Sequence, residues 1–310
     1  MITFATMETF DLHILGCGSA QPTTQRNPSS QVINLRDKLF MVDCGEGAQL
    51  EMKRNKLSYA RLNHIFLSHL HGDHCLGLIG LISTLGLNDR TAELVIHAHP
   101  DAERIFRPML NYFCTDIPFN VRFNSISPQK SELIFEDRSL QVFSIPLRHR
   151  VPTSGFLFSE KATQPHIVPE MTKYHEVPLS FYNRLKAGED YRREDGVIVP
   201  NSVLTRPAAL PRRYAYCSDT AYSERIVPLI ESVDLLYHES TFMDDQKARA
   251  KQTMHSTAKQ AATIAKMADV KKLVLGHYSA RYKDLKPLLA EAKSIFPNTH
   301  LSQDGFTFRI

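Results

Sequence analysis

The sequence predicts an α/β protein, and two patterns carry that expectation. Apolar runs of strand length alternate with helical stretches through both halves of the 310-residue chain. Metal-capable side chains then recur directly after several of those runs, where a rigid strand end can hold a ligand at a fixed angle.

Taken in order, residues 11–16, 31–35 and 38–43 read as short strands, and 45–55 as a helix. Gly16-Cys-Gly18 after the first strand lacks the third glycine of a dinucleotide turn, and Pro22 interrupts the helix such a turn needs. Residues 63–68, Asn-His-Ile-Phe-Leu-Ser, form a buried-strand pattern that stops where His69-Leu-His71-Gly-Asp73-His74 begins. A helix is expected over 76–87 and strands over 93–97 and 140–145. The second half repeats the style, with strands over 213–217, 234–237 and 272–275. Ser256 or Thr257 caps a helix over 257–268, and Asp304-Gly305 turns into a strand over 306–308. Residues 159–211 differ: Pro165, Pro169, Pro178, Pro200, Pro207 and Pro211 remove ladder donors, which predicts an inserted arm of short elements.

The decisive feature is four metal-capable side chains, His69, His71, Asp73 and His74, within six residues. Imidazoles with one carboxylate suit zinc, and manganese or iron less strongly. A solvated turn with surface histidines is the bland alternative, and such density seldom arises without a metal. One short motif cannot complete two metal sites, so further ligands are expected at other strand ends: His149, Asp219 and His277. Singly, each has a dull explanation, a surface or core histidine or an Asp-Thr turn. Their shared position after a strand favours the ligand reading. Cys75 follows His74 and reads as a small buried apolar residue.

Composition narrows the classes. At 43% hydrophobic the chain can bury one large core, and no stretch approaches the roughly 18–20 apolar residues of a membrane span. Residues 1–6 lack a basic start and an apolar block, so no secretory leader is expected. Five cysteines without a CxxC pair suggest reduced thiols and a cytoplasmic setting. The net charge of +4 is local: residues 148–213 hold 11 Lys and Arg against 7 Asp and Glu, and the remainder cancels. That segment would attract a polyanion such as nucleic acid, although a mixed solvated surface reads the same way on charge alone.

With these residues in hand, the chain resembles the metallo-β-lactamase superfamily and, within it, the ribonuclease Z family of tRNA 3′-processing endonucleases. The resemblance runs from about Leu12 to Phe308. His69 to His74 match the HxHxDH motif. Pro22-Thr-Thr-Gln-Arg26-Asn27, His238-Glu239-Ser240-Thr241 and His255-Ser256-Thr257 look like the family's PxKxRN, HEAT and HST motifs. Leu185-Lys-Ala-Gly-Glu189 and Glu194-Asp-Gly196 look like the base of its tRNA-gripping arm. Thr24 stands where the first motif has lysine, Ser240 where HEAT has alanine, and Val177-Pro178 where many members carry Gly-Pro.

The resemblance implies a four-layer αβ/βα sandwich, residues 1–310 as one domain, with the basic arm 159–211 inserted in it. It implies two zinc ions per subunit, with manganese or iron as substitutes. His69, His71 and His149 would hold one, Asp73, His74 and His277 the other, and Asp219 would bridge them. Five imidazoles and two carboxylates around two divalent ions leave about +2, suited to a phosphodiester. Asp73 would handle the nucleophile's proton, and His255, partnered by Glu239, would protonate the leaving oxygen. Arg26 and Asn27 would contact substrate, and His238 would support the site, with His13, His64, His97 and His99 structural. The implied partners are precursor tRNA and a second copy of the chain, with no membrane. The alternative is a phosphodiesterase of the same fold acting on a small phosphodiester; a binding protein with a structural metal is disfavoured because such a site needs no open position.

Overall fold

The computed structural model describes residues 8–310, so the reading of residues 1–6 as leader-free falls outside it. The described residues form two compact units: 8–136 with 141–159 and 213–310, and 137–140 with 160–212.

The larger unit carries two seven-stranded sheets. In the first, Thr307–Arg309 lies at one edge, followed by Phe10–Gly16, Ser30–Leu35, Lys38–Cys44, Leu62–Phe66, Leu94–Ala98 and Val121–Ser125. Pairing is antiparallel up to Lys38–Cys44 and parallel beyond it. The second sheet runs Thr299–Leu301, Leu273–Gly276, Leu235–Glu239, Arg213–Cys217, Ser154–Glu160, Leu140–Pro146 and Leu133–Glu136, and its first four strands are parallel.

Alternation in Phe10–Gly16 buries Phe10, Leu12 and Ile14 and leaves Asp11 and His13 partly exposed. The sheets meet through aromatics: Phe40 contacts Phe158, and Phe66 contacts Phe156 and Phe158. Val32, Met41, Ile65 and Ile96 belong to a core shared with the helices Ala48–Arg54, Leu78–Leu87 and Asp101–Phe113. Behind the second sheet lies Ala258–Met267, whose buried face is mostly alanine, letting it approach the strands closely; Thr257 and Gln260 close a capping box at its start. Two sheets with helices on both sides form the expected α/β sandwich.

The smaller unit has its own core of Val177, Leu185, Val199 and Leu204, with Ile167, Met171, Phe181, Tyr182 and Tyr191 packed against it. Its strands are two-residue pieces, His166–Ile167 with Thr205–Arg206 and Tyr191–Arg192 with Ile198–Val199. Its helices span at most six residues.

Candidate metal centre

Parallel strands in each sheet place their carboxyl ends at one edge, the usual place for ligands in such sheets. Phe66 ends the strand before His69–His74, Cys217 ends the strand before Asp219, and Gly276 ends the strand before His277. Glu239 is level with Gly276 in the register of neighbouring strands. Only glycine fits at 276, because an added Cβ would overlap the Tyr237 hydroxyl. The His69–His74 segment includes a helical turn, Gly72–Cys75, which swings Asp73 and His74 to their positions after His71.

All seven sequence-predicted ligands converge, in two groups: His69, His71, His149 with Asp219, and Asp73, His74 with His277. Asp219 faces both. Its Oδ2 lies 3.6 Å from Nε2 of His69 and of His149. Its Oδ1 lies 3.2 Å from Nε2 of His74 and 3.1 Å from Nε2 of His277. Asp73 Oδ2 is 3.5 Å from the same nitrogens of His74 and His277. The His71 Nδ1 closes the first group, 2.9 Å from His69 Nε2 and 3.3 Å from His149 Nε2.

Outward contacts fix the tautomers. His74 Nδ1 donates to Asp43 Oδ2 at 2.7 Å, and His149 Nδ1 to the Met254 carbonyl at 2.9 Å. Ser68 and Thr241 hydroxyls each donate to a carboxylate, Asp43 and Glu239, and so accept from Nδ1 of His69 and His277, both at 3.0 Å. With Nδ1 carrying the proton, as ligands these rings would turn four Nε2 lone pairs and two carboxylates toward one another with no proton between them. Such a donor set fits divalent cations, whose charge turns this mutual repulsion into coordination. Asp43, Asp219 and His277 have φ of 57°, 56° and 56°, a left-handed conformation that costs free energy in non-glycine residues and clusters at working sites.

Charge within the cluster follows from burial and neighbours. Burial works against ionised Asp73 and Asp219, but His277 and His74 hold both well below the usual carboxylate range. Burial, with His74 beside it, pushes His69 well down, and burial also lowers His149 and His71, keeping these rings neutral as ligands require.

His255 stands over this cluster, its ring stacked on His277 with centroids 5.4 Å apart. Its Nδ1 pairs with Glu239 Oε1 at 2.8 Å, which leaves Nε2 uncommitted. Burial opposes a charge on His255, yet the Glu239 carboxylate outweighs it and raises the pKa to about 9. Glu239 is fully buried and also accepts from Thr220 N and from the amide and hydroxyl of Thr241. His238 is buried nearby, but its Nδ1 contacts the Glu239 carbonyl and it joins none of the ligand groups.

Arg26 and Asn27 each donate to the scaffold. Arg26 Nη2 donates to the Tyr282 and Lys283 carbonyls, and its guanidinium lies over the Tyr278 ring. Asn27 donates its amide to Asp304 and its Nδ2 to the Leu15 carbonyl. They shape the loop from which Ala20 N donates to Asp73 Oδ2 at 2.7 Å. His64 and His97 lie away from the cluster, 3.1 Å apart beside Phe66 and Phe135.

Sequence reasoning missed Asp43, whose carboxylate accepts from Ser68 N, Ser68 Oγ, His74 Nδ1 and Tyr216 OH. The available signal was an aspartate closing an apolar run, the same position that marked the other ligands. A cleft of about 360 Å³ opens on the cluster, lined by Ser19, Ala20, Pro28, Glu46, Leu76 and Arg150 together with His71, Gly72, Asp73, Asp219, His255 and His277.

Comparison with known proteins extends these observations. A family model described as Anti-Pycsar protein Apyc1 matches residues 10–117, a stretch that ends before His149, Asp219 and His277. Over nearly the full length the chain is similar to the ribonuclease Z of Parabacteroides distasonis, 55% identical across 98% of this chain and 100% of that protein. The ribonuclease Z of Phocaeicola vulgatus is 56% identical across 98% of each chain. Among solved structures, human tRNase Z, short form, superposes with a TM-score of 0.69 at 25% identity, covering 96% of this chain and 98% of that one.

Proposed function

Because the chain belongs to the ribonuclease Z family, we propose that it is an endoribonuclease that removes the 3′ trailer of precursor tRNA and leaves a 3′-hydroxyl on the tRNA. The observation that carries this reading is the Asp219 carboxylate divided between two imidazole groups, one oxygen to each. A ribonuclease Z implies a divalent metal. We assign two zinc ions per subunit, replaceable by manganese or iron: one held by His69, His71 and His149, one by Asp73, His74 and His277, with Asp219 shared.

When bound, such ions make hydroxide available near neutral pH and offset phosphate charge. The chain supplies the rest. Asp73, held by Ala20 N, accepts a proton from the attacking water. As that oxygen joins phosphorus, the bond from phosphorus to the ribose 3′ oxygen breaks. His255 gives its Nε2 proton to the departing oxygen, and Glu239 steadies the resulting ring through Nδ1. The products are a tRNA 3′-hydroxyl and a trailer with a 5′-phosphate.

The basic excess of residues 148–213 comes from Arg148, Arg150, Arg212 and Arg213, which flank the inserted segment 159–211; we assign that segment to gripping the tRNA as an inserted arm, with phosphate contacts from these flanks. We infer a homodimer; exposed Tyr112 and Phe113 offer apolar surface for a second copy. All five cysteines are free and buried, as suits a reducing cytoplasm. Among the described residues no helix is long and apolar enough to cross a membrane.

The test is product mapping on a precursor tRNA with a defined trailer. We expect one metal-dependent cut beside the discriminator base, and a loss of about 10²-fold or more in turnover for His255→Ala with tRNA affinity and metal content retained. Failure of the folded, metal-loaded protein to cut would end the proposal.

A further inference from the structure

We propose that Arg150 binds the phosphate on the retained side of the cut, the one 5′ to the last tRNA nucleotide; this rests on the ribonuclease reading of the cleft. Arg150 is the one lysine or arginine among the residues lining that cleft. The rest of the lining offers no such cation: Leu76 is apolar and exposed, Pro28 and Ala20 are apolar or small, and Glu46 is acidic. Within the described residues Arg150 has no hydrogen bond or ion pair, so its guanidinium is available to a ligand.

Its backbone, by contrast, is pinned on both sides. Arg148 N donates to Thr220 Oγ1 at 3.1 Å, and Ala221 N to the Arg148 carbonyl at 2.7 Å. His149 is tied to Met254, and Leu147 N to the Thr153 carbonyl at 3.2 Å. A free cation on a fixed loop is a preorganised phosphate contact. The side is set by His255, whose ring lies 5.0 Å from that of His149, the residue before Arg150, and which feels the arginine's charge. His255 protonates the leaving 3′ oxygen, which belongs to the tRNA. The nearest flanking phosphate on that side is the retained one, and a guanidinium can take two of its oxygens.

Two precursor tRNAs separate this from general electrostatics, each with one neutral methylphosphonate: at the retained-side linkage, or at the first linkage within the trailer. With the native enzyme, retained-side neutralisation should lower kcat/KM about tenfold, chiefly through KM. Arg150→Ala should show that loss on the unmodified precursor and no further loss on the retained-side methylphosphonate, whereas Arg150→Lys recovers part of it. The trailer-side penalty should be the same in native and variant enzymes. If Arg150→Ala still suffers the full retained-side penalty, or loses the trailer-side one instead, the assignment is overturned. If the native enzyme cuts none of the precursors, including the unmodified one, the ribonuclease reading itself falls.

Discussion

Asp43 shows how much one carboxylate outside the ligand set controls. It accepts four hydrogen bonds, three of them on Oδ2, and one of those fixes the His74 ring. Asparagine keeps the shape but turns its amide protons toward donors whichever way it is placed. Asp43→Asn should therefore weaken metal binding about 10- to 100-fold and destabilise the protein by about 1–3 kcal/mol. Titration against a competing chelator reads the first effect; unchanged metal affinity would show that His74 does not depend on Asp43. The seven ligand positions were legible because each follows an apolar run. Asp43 closes an apolar run in the same way, but its role as a support for His74 and not as a ligand depends on partners such as Tyr216, 173 residues away, which no local window reveals.

At the scale of elements, strands with clear apolar runs were readable, and those lacking contrast were not. Ser154–Glu160 is buried on nearly every residue and so shows no alternation. Asp101–Phe113 buries Ala102, Phe106 and Leu110 at regular helical spacing, but its interior Pro108 and exposed Tyr112 and Phe113 argue against a helix in the sequence. The predicted 45–55 helix begins only at Ala48, after a left-handed Gly47. The proline-rich stretch was recognisable as something other than core sheet, but its small apolar core depends on long-range pairings that no window reveals. Strand pairing also makes a clean deletion available. Ser159 and Arg213 are register partners on adjacent strands, so removing residues 160–212 leaves two ends already side by side for a short glycine-rich turn. The shortened protein should hydrolyse a small phosphodiester such as bis-p-nitrophenyl phosphate at a rate within a few-fold of the parent and lose precursor tRNA cleavage. Retained tRNA cleavage would remove the arm assignment, and loss of both activities with intact folding would tie the arm to the metal chemistry.

For the whole molecule, the aromatic layer between the sheets sets an acid limit of its own. Burial, then the neighbouring His64, pushes His97 down to about 3 from 6.5. Asn124 donates to its Nδ1, so the neutral ring offers its proton at Nε2 to His64. Below about pH 6.5 the unfolded chain binds a proton that the native state refuses, so stability falls by about 1.4 kcal/mol per pH unit until about pH 3 and is unaffected above the window. His97→Gln lacks that proton, and the stability gap between parent and variant should shift by about 2–3 kcal/mol in the variant's favour from pH 6.5 to 4.5, read from urea midpoints. A constant gap would mean that His97 titrates normally. The same two-sheet body has a clasp: Thr307–Arg309 pairs with the Phe10–Gly16 edge, and Asp304 ties Cys17 to Asn27 across the loop that steadies Asp73. A nascent polypeptide that has just passed His277 at the ribosome carries every ligand but not this fastening. Until residues 304–309 join the sheet, the loop that carries Ala20 lacks this tie and Asp73 lacks its fixed partner.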